Sequence, residues 1–315
     1  MTSTDLTNEP ARASVLGRLF LALADIKLAH SVFALPFAVL AAVMVLPPAE
    51  KRGTWDVAIM LGLVVWCMVF ARTWAMLVNR VADARLDAAN PRTANRAFAR
   101  GALGRRDGVV LLAVSTFAFV AGAAAFGVVF GNWWPAELAM PVLAWIALYS
   151  FTKRFTWWCH VFLGGALAAS PLAAAIAVDP GALVHTDAGH AVWWLAAMVL
   201  FWVAGFDVIY ALQDLEFDRD AGLNSVPARF GWRGAAWVSR GMHAIALGTL
   251  AAAWRVEPRF GVIFGVGFGV VAGALVIEHF VLARRGRAGI PMAFFTLNGV
   301  VSIALGVAGV ADVLA

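Results

Sequence analysis

Two runs of acidic residues carry spacings that suit chemistry. In RTWAMLVNRVADARLDAANPRTANR, Asn79, Asp83 and Asp87 recur every four residues. At about 100° per residue these positions form one stripe of a helix, and Arg72, seven residues before Asn79, falls on it too. One face therefore offers an amide, two carboxylates and a guanidinium. Like charges four residues apart destabilise a helix by roughly 0.2–0.5 kcal/mol, so the stripe calls for a counter-charge. A divalent metal is the natural one. Magnesium takes oxygen ligands, keeps several waters and is bound through one or two carboxylates together with substrate phosphates. Taken alone, the run also reads as a solvated segment in which Asp83 and Asp87 pair with Arg80 and Arg85, and surface pairs of that kind contribute little.

A second run alters that balance. In AGFDVIYALQDLEFDRDAGLNSVPARFG, Asp207, Tyr210, Asp214 and Asp218 share a helical stripe through spacings of three and four. Asp207 lies inside an apolar stretch, where an ionisable group is costly and marks a functional position. Asp207 and Tyr210 are secondary candidates, suited to orienting a substrate or the metal ligands, with a purely structural hydrogen bond as the plain alternative.

The elements that must position these stripes are membrane helices. Of the 315 residues, 62% are hydrophobic and 14% charged, against about a quarter charged in soluble domains. The apolar stretches approach the roughly 20 residues a spanning helix needs and lack the alternation of a barrel strand. The fold expected is all-α, a polytopic membrane protein of about nine transmembrane helices in a single bundle. The spans read as roughly 19 to 46, 55 to 79, 109 to 131, 133 to 151, 158 to 178, 191 to 213, 234 to 254, 260 to 283 and 290 to 314. No linker divides the chain, so residues 1–315 are expected to form one domain, with 1–18 a polar cytoplasmic segment and no cleaved signal peptide.

Basic residues follow topology. If the N-terminus is cytoplasmic, that side collects Arg12, Arg18, the arginines from Arg80 to Arg106, Lys153, Arg154, Arg219, Arg229, Arg233, Arg284, Arg285 and Arg287. The opposite side holds Lys51, Arg52, Arg255 and Arg259. That positive-inside bias puts the N-terminus and both acidic runs on the cytoplasmic side of a multi-pass inner-membrane protein. It also explains the basic composition without nucleic acid. Tryptophans such as Trp133, Trp134, Trp193 and Trp194 near span ends suit interfacial anchoring.

With spans and motifs together, the chain resembles the UbiA superfamily of intramembrane prenyltransferases over nearly its whole length. NRVADARLD matches that family's N-x-x-x-D-x-x-x-D signature and YALQDLEFD its second D-x-x-x-D signature. The segments IKLAHSVFALPFA, NPRTANR, YSFTKRFTWWCHVFLG and DVIYALQDLEFD look like its 4-hydroxybenzoate polyprenyltransferase-like group, which includes the futalosine-route menaquinone enzymes. The chain departs from many relatives after Arg96, where AFARG replaces a proline followed by leucine, and in carrying Glu216 between the second pair of aspartates.

The resemblance implies two Mg²⁺ ions, one at Asp83 and Asp87 with Asn79 and one at Asp214 and Asp218, bridging the diphosphate of a polyprenyl substrate. It implies that Arg72, Lys153 and Arg154 neutralise phosphate charge. The resulting allylic cation would be attacked by a small aromatic acceptor, 4-hydroxybenzoate or a dihydroxynaphthoate, in ubiquinone or menaquinone synthesis. Related enzymes making haem O or lipids share the acidic motifs. A secondary transporter, the reading from another class, would place its acids near the bilayer midplane rather than at helix ends. The six histidines show no close pairing suited to zinc, and His30 reads as a core histidine with an aromatic carboxylate as its other conceivable partner.

Overall fold

The computed structural model describes residues 15–26, 33–48 and 53–315, and the described residues are helical with no strand. The helices run, in order, α1 Val15–Ile26, α2 Leu35–Met44, α3 Thr54–Ala89, α4 Arg105–Phe130, α5 Trp134–Thr152, α6 Cys159–Val178, α7 Ala182–His185, α8 Asp187–Ala211, α9 Leu215–Asp220, α10 Val226–Val256, α11 Val262–Arg285 and α12 Asn298–Leu314. Among the described residues seven helical stretches are long and apolar enough to cross a bilayer, rather than nine. Of the predicted span 19 to 46, the described parts are α1 and α2, and residues 27–32 lie outside the described residues. His30 lies outside the described residues. The span predicted at 234 to 254 belongs to α10, which carries Arg229, Arg233, Arg240 and Arg255 and falls below the apolarity of the others. The chain is a helical membrane protein, and its outward large apolar side chains, such as Phe117, Val128, Val262 and Val307, suit contact with lipid.

Helix length is what carries the first acidic run out of the apolar layer. The 36 residues of α3 would extend about 54 Å, beyond the roughly 30 Å of bilayer hydrocarbon. Its final turns, with Asn79, Asp83 and Asp87, therefore stand at one end of the bundle. Pro91 ends the helix by forcing Asn90 into an extended conformation, φ −93° and ψ 117°.

The central strut is α8, packed most extensively against α6 and α10. Leu195, Met198, Val199, Trp202 and Val203 are fully enclosed there. Close approach to α6 is possible because residue 164 is glycine, since a Cβ there would stand 2.2 Å from the Leu200 carbonyl oxygen. At the end of α8 the chain tightens into a 3₁₀ turn, Leu212–Asp214, before α9. The second acidic run therefore does not lie on one unbroken α-helix, as its spacing predicts. Ser225 caps α10 by accepting the Ala228 N–H, and Gly231 takes a left-handed φ of 67° that kinks α10 after its first turn.

Candidate active site

Each of the four motif aspartates meets a basic side chain from another segment. Asp83 on α3 pairs with Arg154 after α5 at 2.7 Å, and Asp87 receives two hydrogen bonds from Arg96 at 2.7 and 2.8 Å. Asp214 in the 3₁₀ turn is gripped by the Nε and Nη2 of Arg92, and Asp218 on α9 pairs with Lys153 at 2.7 Å. The pairing of Asp83 and Asp87 with Arg80 and Arg85, the local alternative on sequence grounds, does not occur. Arg80 instead turns to Asn79 and to Asp25 on α1, and Arg85 is exposed.

The segment NPRTANR after α3 closes this end. Asn90 donates to Asp214 at 2.9 Å and accepts the Arg92 backbone N–H, while the Thr93 hydroxyl donates to the Asp87 carbonyl. One short loop thus ties the first acidic run to the second. Behind Asp218, the Ser225 hydroxyl donates to Oδ2, and the Asn224 N–H donates to the Lys153 carbonyl. These bonds fix the lysine's backbone opposite the carboxylate it neutralises.

Electrostatics follow from this enclosure. Burial opposes the charge on Lys153, but the adjacent Asp218 carboxylate outweighs it and holds the amine above its ordinary value. Arg92 is likewise raised, its burial more than offset by the hydrogen bonds and charge of Asp214, with Tyr210 adding to them. Both side chains are cationic throughout the neutral range.

All ten candidate residues, Arg72, Asn79, Asp83, Asp87, Lys153, Arg154, Asp207, Tyr210, Asp214 and Asp218, line a single cavity of about 540 Å³. Below the acidic end its walls become apolar, with Val64, Phe126, Leu138, Ala139 and Ile176 at the far end. Arg72 lies deeper than the acidic residues, eleven positions or about 16 Å before Asp83 along α3. Its Nε is buried without a hydrogen-bond partner among the described residues. The middle of the cavity has an aromatic wall. The Phe294 ring centroid lies 4.2 Å from that of Tyr210 and 5.3 Å from that of Phe206.

The donor set suits a hard divalent cation, being carboxylates and one amide with no sulfur or imidazole among them. Among the described residues no three His, Cys, Asp or Glu side chains converge on one point. A metal bound here would draw further oxygens from its substrate, as magnesium does in diphosphate sites. The basic side chains now on the aspartates are the groups an incoming polyanion would attract.

Several site residues were not assigned from sequence. Arg92 and Arg96 reach carboxylates 122 and nine residues away, and their spacing from Asn90 along a loop has no periodic signature. His160 bonds Asp207 across 47 residues, and Phe294 comes from a π-helical turn, Met292–Leu297, that no sequence period marks.

Residues 32–300 match the profile of the UbiA prenyltransferase family. Among curated relatives, a 4-hydroxybenzoate octaprenyltransferase of Shewanella sp. (strain MR-4) is 28% identical over 247 residues, covering 78% of this chain and 81% of the relative. One of the same description from Shewanella sediminis is 29% identical over 239 residues, covering 76% and 79%. Among solved structures, the apo structure of a UbiA homolog from Aeropyrum pernix K1 superposes with a TM-score of 0.76 at 31% identity, covering 91% of this chain and 98% of that one. A UbiA homolog from Archaeoglobus fulgidus bound to GPP and Mg²⁺ shares the fold, with a TM-score of 0.66 at 20% identity, covering 94% and 100%.

Proposed function

The chain belongs to the UbiA prenyltransferase family, and from that premise we propose that it transfers a polyprenyl group from its diphosphate to a ring carbon of a hydroxyaryl carboxylate. 4-Hydroxybenzoate is the first acceptor to test, given the curated relatives of that specificity, and a dihydroxynaphthoate the second. The observation that carries the reading is the alignment of four aspartates and four basic side chains at one end of a cavity whose remainder is apolar and aromatic.

In this reading Asp83 and Asp87, with Asn79, hold one Mg²⁺, and Asp214 and Asp218 a second. When bound, the metal supplies positive charge to the diphosphate as it leaves. Lys153, Arg154, Arg92 and Arg96 exchange their carboxylate partners for phosphate oxygens, which conserves the number of ion pairs while the polyanion enters. Arg72, being deeper, is better placed for the acceptor carboxylate than for the diphosphate. The apolar channel accepts the prenyl tail and keeps water from the allylic cation. Residues 1–315 act as one catalytic unit, with the acidic end on the cytoplasmic side of the inner membrane.

The test is an assay of purified protein in lipid with Mg²⁺, a radiolabelled polyprenyl diphosphate and a panel of hydroxybenzoate and dihydroxynaphthoate acceptors. Prenylated aromatic product and released diphosphate are expected from wild type. Product from none of the acceptors would overturn the assignment.

A further inference from the structure

Beneath the four aspartates lies a polar pair that the transfer as described leaves without a role. Asp207 reaches the cavity from the last turns of α8 and His160 from the start of α6. His160 Nδ1 stands 2.7 Å from Asp207 Oδ2, and His160 Nε2 accepts the Val226 backbone N–H at 3.2 Å. The second bond decides the first. A ring nitrogen that accepts a hydrogen bond carries no proton, so the imidazole N–H is on Nδ1 and points at Asp207. The imidazole is 3% exposed and held at both nitrogens, which leaves it no alternative orientation.

Asp207 is different. Its side chain is 22% exposed, and Oδ1 has no hydrogen-bond partner among the described residues. A carboxylate serving only to pack two membrane helices would have both oxygens covered. This one has one oxygen fixed by histidine and the other unpaired among the described residues, on a side chain that lines the cavity. Asp207 precedes Asp214 by seven residues, about 10 Å or more along the end of α8 and the 3₁₀ turn after it, which puts it at the depth of the Tyr210, Phe206 and Phe294 wall rather than of the diphosphate end.

We propose that Asp207 accepts the proton of the acceptor's ring hydroxyl and that His160 is its positioning residue, an inference that rests on the transfer to a hydroxyaryl acceptor proposed above. The phenol O–H bond breaks, the proton passes to Asp207 Oδ1, and the electron pair stays on oxygen as a phenolate. The C–O bond of the prenyl diphosphate breaks with its pair going to diphosphate, and the ortho carbon of the phenolate forms the C–C bond to the allylic carbon. The ring carbon then loses its proton to the departing diphosphate, and Asp207 returns its proton to the ring oxygen. One diphosphate and one proton leave per turnover, and the carboxylate is regenerated. His160 keeps Oδ2 engaged, so that Oδ1 faces the ring in every turnover.

The experiment compares wild type with Asp207→Asn, His160→Ala, His160→Asn and the double variant Asp207→Asn/His160→Ala. It measures kcat, KM for both substrates and equilibrium binding of labelled polyprenyl diphosphate with Mg²⁺. General-base loss lowers kcat by about 100-fold or more, and Asp207→Asn and His160→Ala are expected to do so with diphosphate affinity unchanged. His160→Asn, whose amide N–H can stand where Nδ1–H does, recovers at least about tenfold over His160→Ala. The double variant is no worse than Asp207→Asn alone. A polyfluorinated hydroxybenzoate that keeps one C–H ortho to the hydroxyl, its phenol ionised at the assay pH, narrows the gap between Asp207→Asn and wild type. Wild-type kcat in His160→Ala, equal impairment of His160→Asn with lost diphosphate affinity, or a fluorinated acceptor that leaves the gap intact would each overturn the assignment. Wild type that prenylates no hydroxyaryl acceptor overturns this inference and the function beneath it together, and so is distinct from the variant outcomes.

Discussion

Asp218 is the most enclosed of the four aspartates, its side chain fully buried between Lys153 and the Ser225 hydroxyl. Asp83 is the most open, paired among the described residues to the exposed Arg154 and to Asn79. Both are proposed metal ligands, yet their removal has different structural consequences. Asp83→Asn should fold normally and lose about 100-fold or more in transfer, the scale of losing one preorganised charge contact to a transition state. Asp218→Asn should lose activity together with about 1 kcal/mol of stability, because the enclosed side chain loses its charge-assisted contacts while Lys153, partly open to solvent, can turn to water. Activity assays beside thermal unfolding in detergent separate the two. Arg92 and Arg96 belong to the same scale. Arg92→Ala should raise KM for the prenyl diphosphate and also loosen the loop, since the guanidinium holds Asp214 before substrate enters.

At the scale of the element, close packing and local breaks decide where side chains point. Gly164 lets α6 lie against α8, and with it His160 against Asp207. Gly164→Val should force the helices apart, lowering stability by about 1–3 kcal/mol through overpacking and reducing transfer even though residue 164 bears no reactive group. A thermal midpoint equal to wild type would contradict that account. The π-helical turn before α12 is stabilised by Asn298, which accepts the Trp202 indole N–H at 2.6 Å and donates to the Ala293 and Phe294 carbonyls. That clamp sets Phe294 into the aromatic wall. Asn298→Leu should therefore raise KM for the acceptor more than KM for the prenyl diphosphate, and an equal rise in both would place Phe294 outside acceptor binding.

At the scale of the molecule, orientation and metal dependence can be tested without altering the site. With basic residues as distributed, a reporter fused after Ala315 should be active only when it functions outside the cytoplasm, and one fused within 214 to 233 only when it functions inside. The reverse pattern would invert the proposed topology. Chelation should abolish transfer and Mg²⁺ restore it, with diphosphate and metal each strengthening the binding of the other, because the described protein groups alone do not converge three to an ion.

How far the sequence could be read follows from the range of the interactions involved. The all-helical membrane class and the two acidic runs were legible because they depend on apolar length and on the helix period, which neighbouring residues alone determine, whereas Lys153 and Arg154 entered only through the family resemblance; all ten candidates line one cavity. Legibility failed where long range or backbone irregularity intervened. The 3₁₀ turn that interrupts the second acidic stripe and the π-helical turn carrying Phe294 break the regular period on which such reading depends. Which cation meets which carboxylate was decided by tertiary structure alone. Arg92 reaches Asp214 across 122 residues and His160 reaches Asp207 across 47, pairings that exist only once α3, α6 and α8 are packed. The sequence by itself determined that acidic and basic groups would gather at helix ends beside a bilayer. Packing decided their partners, because the geometry of a contact between two helices depends on how closely and at what register they approach, and that is a property of neither helix alone.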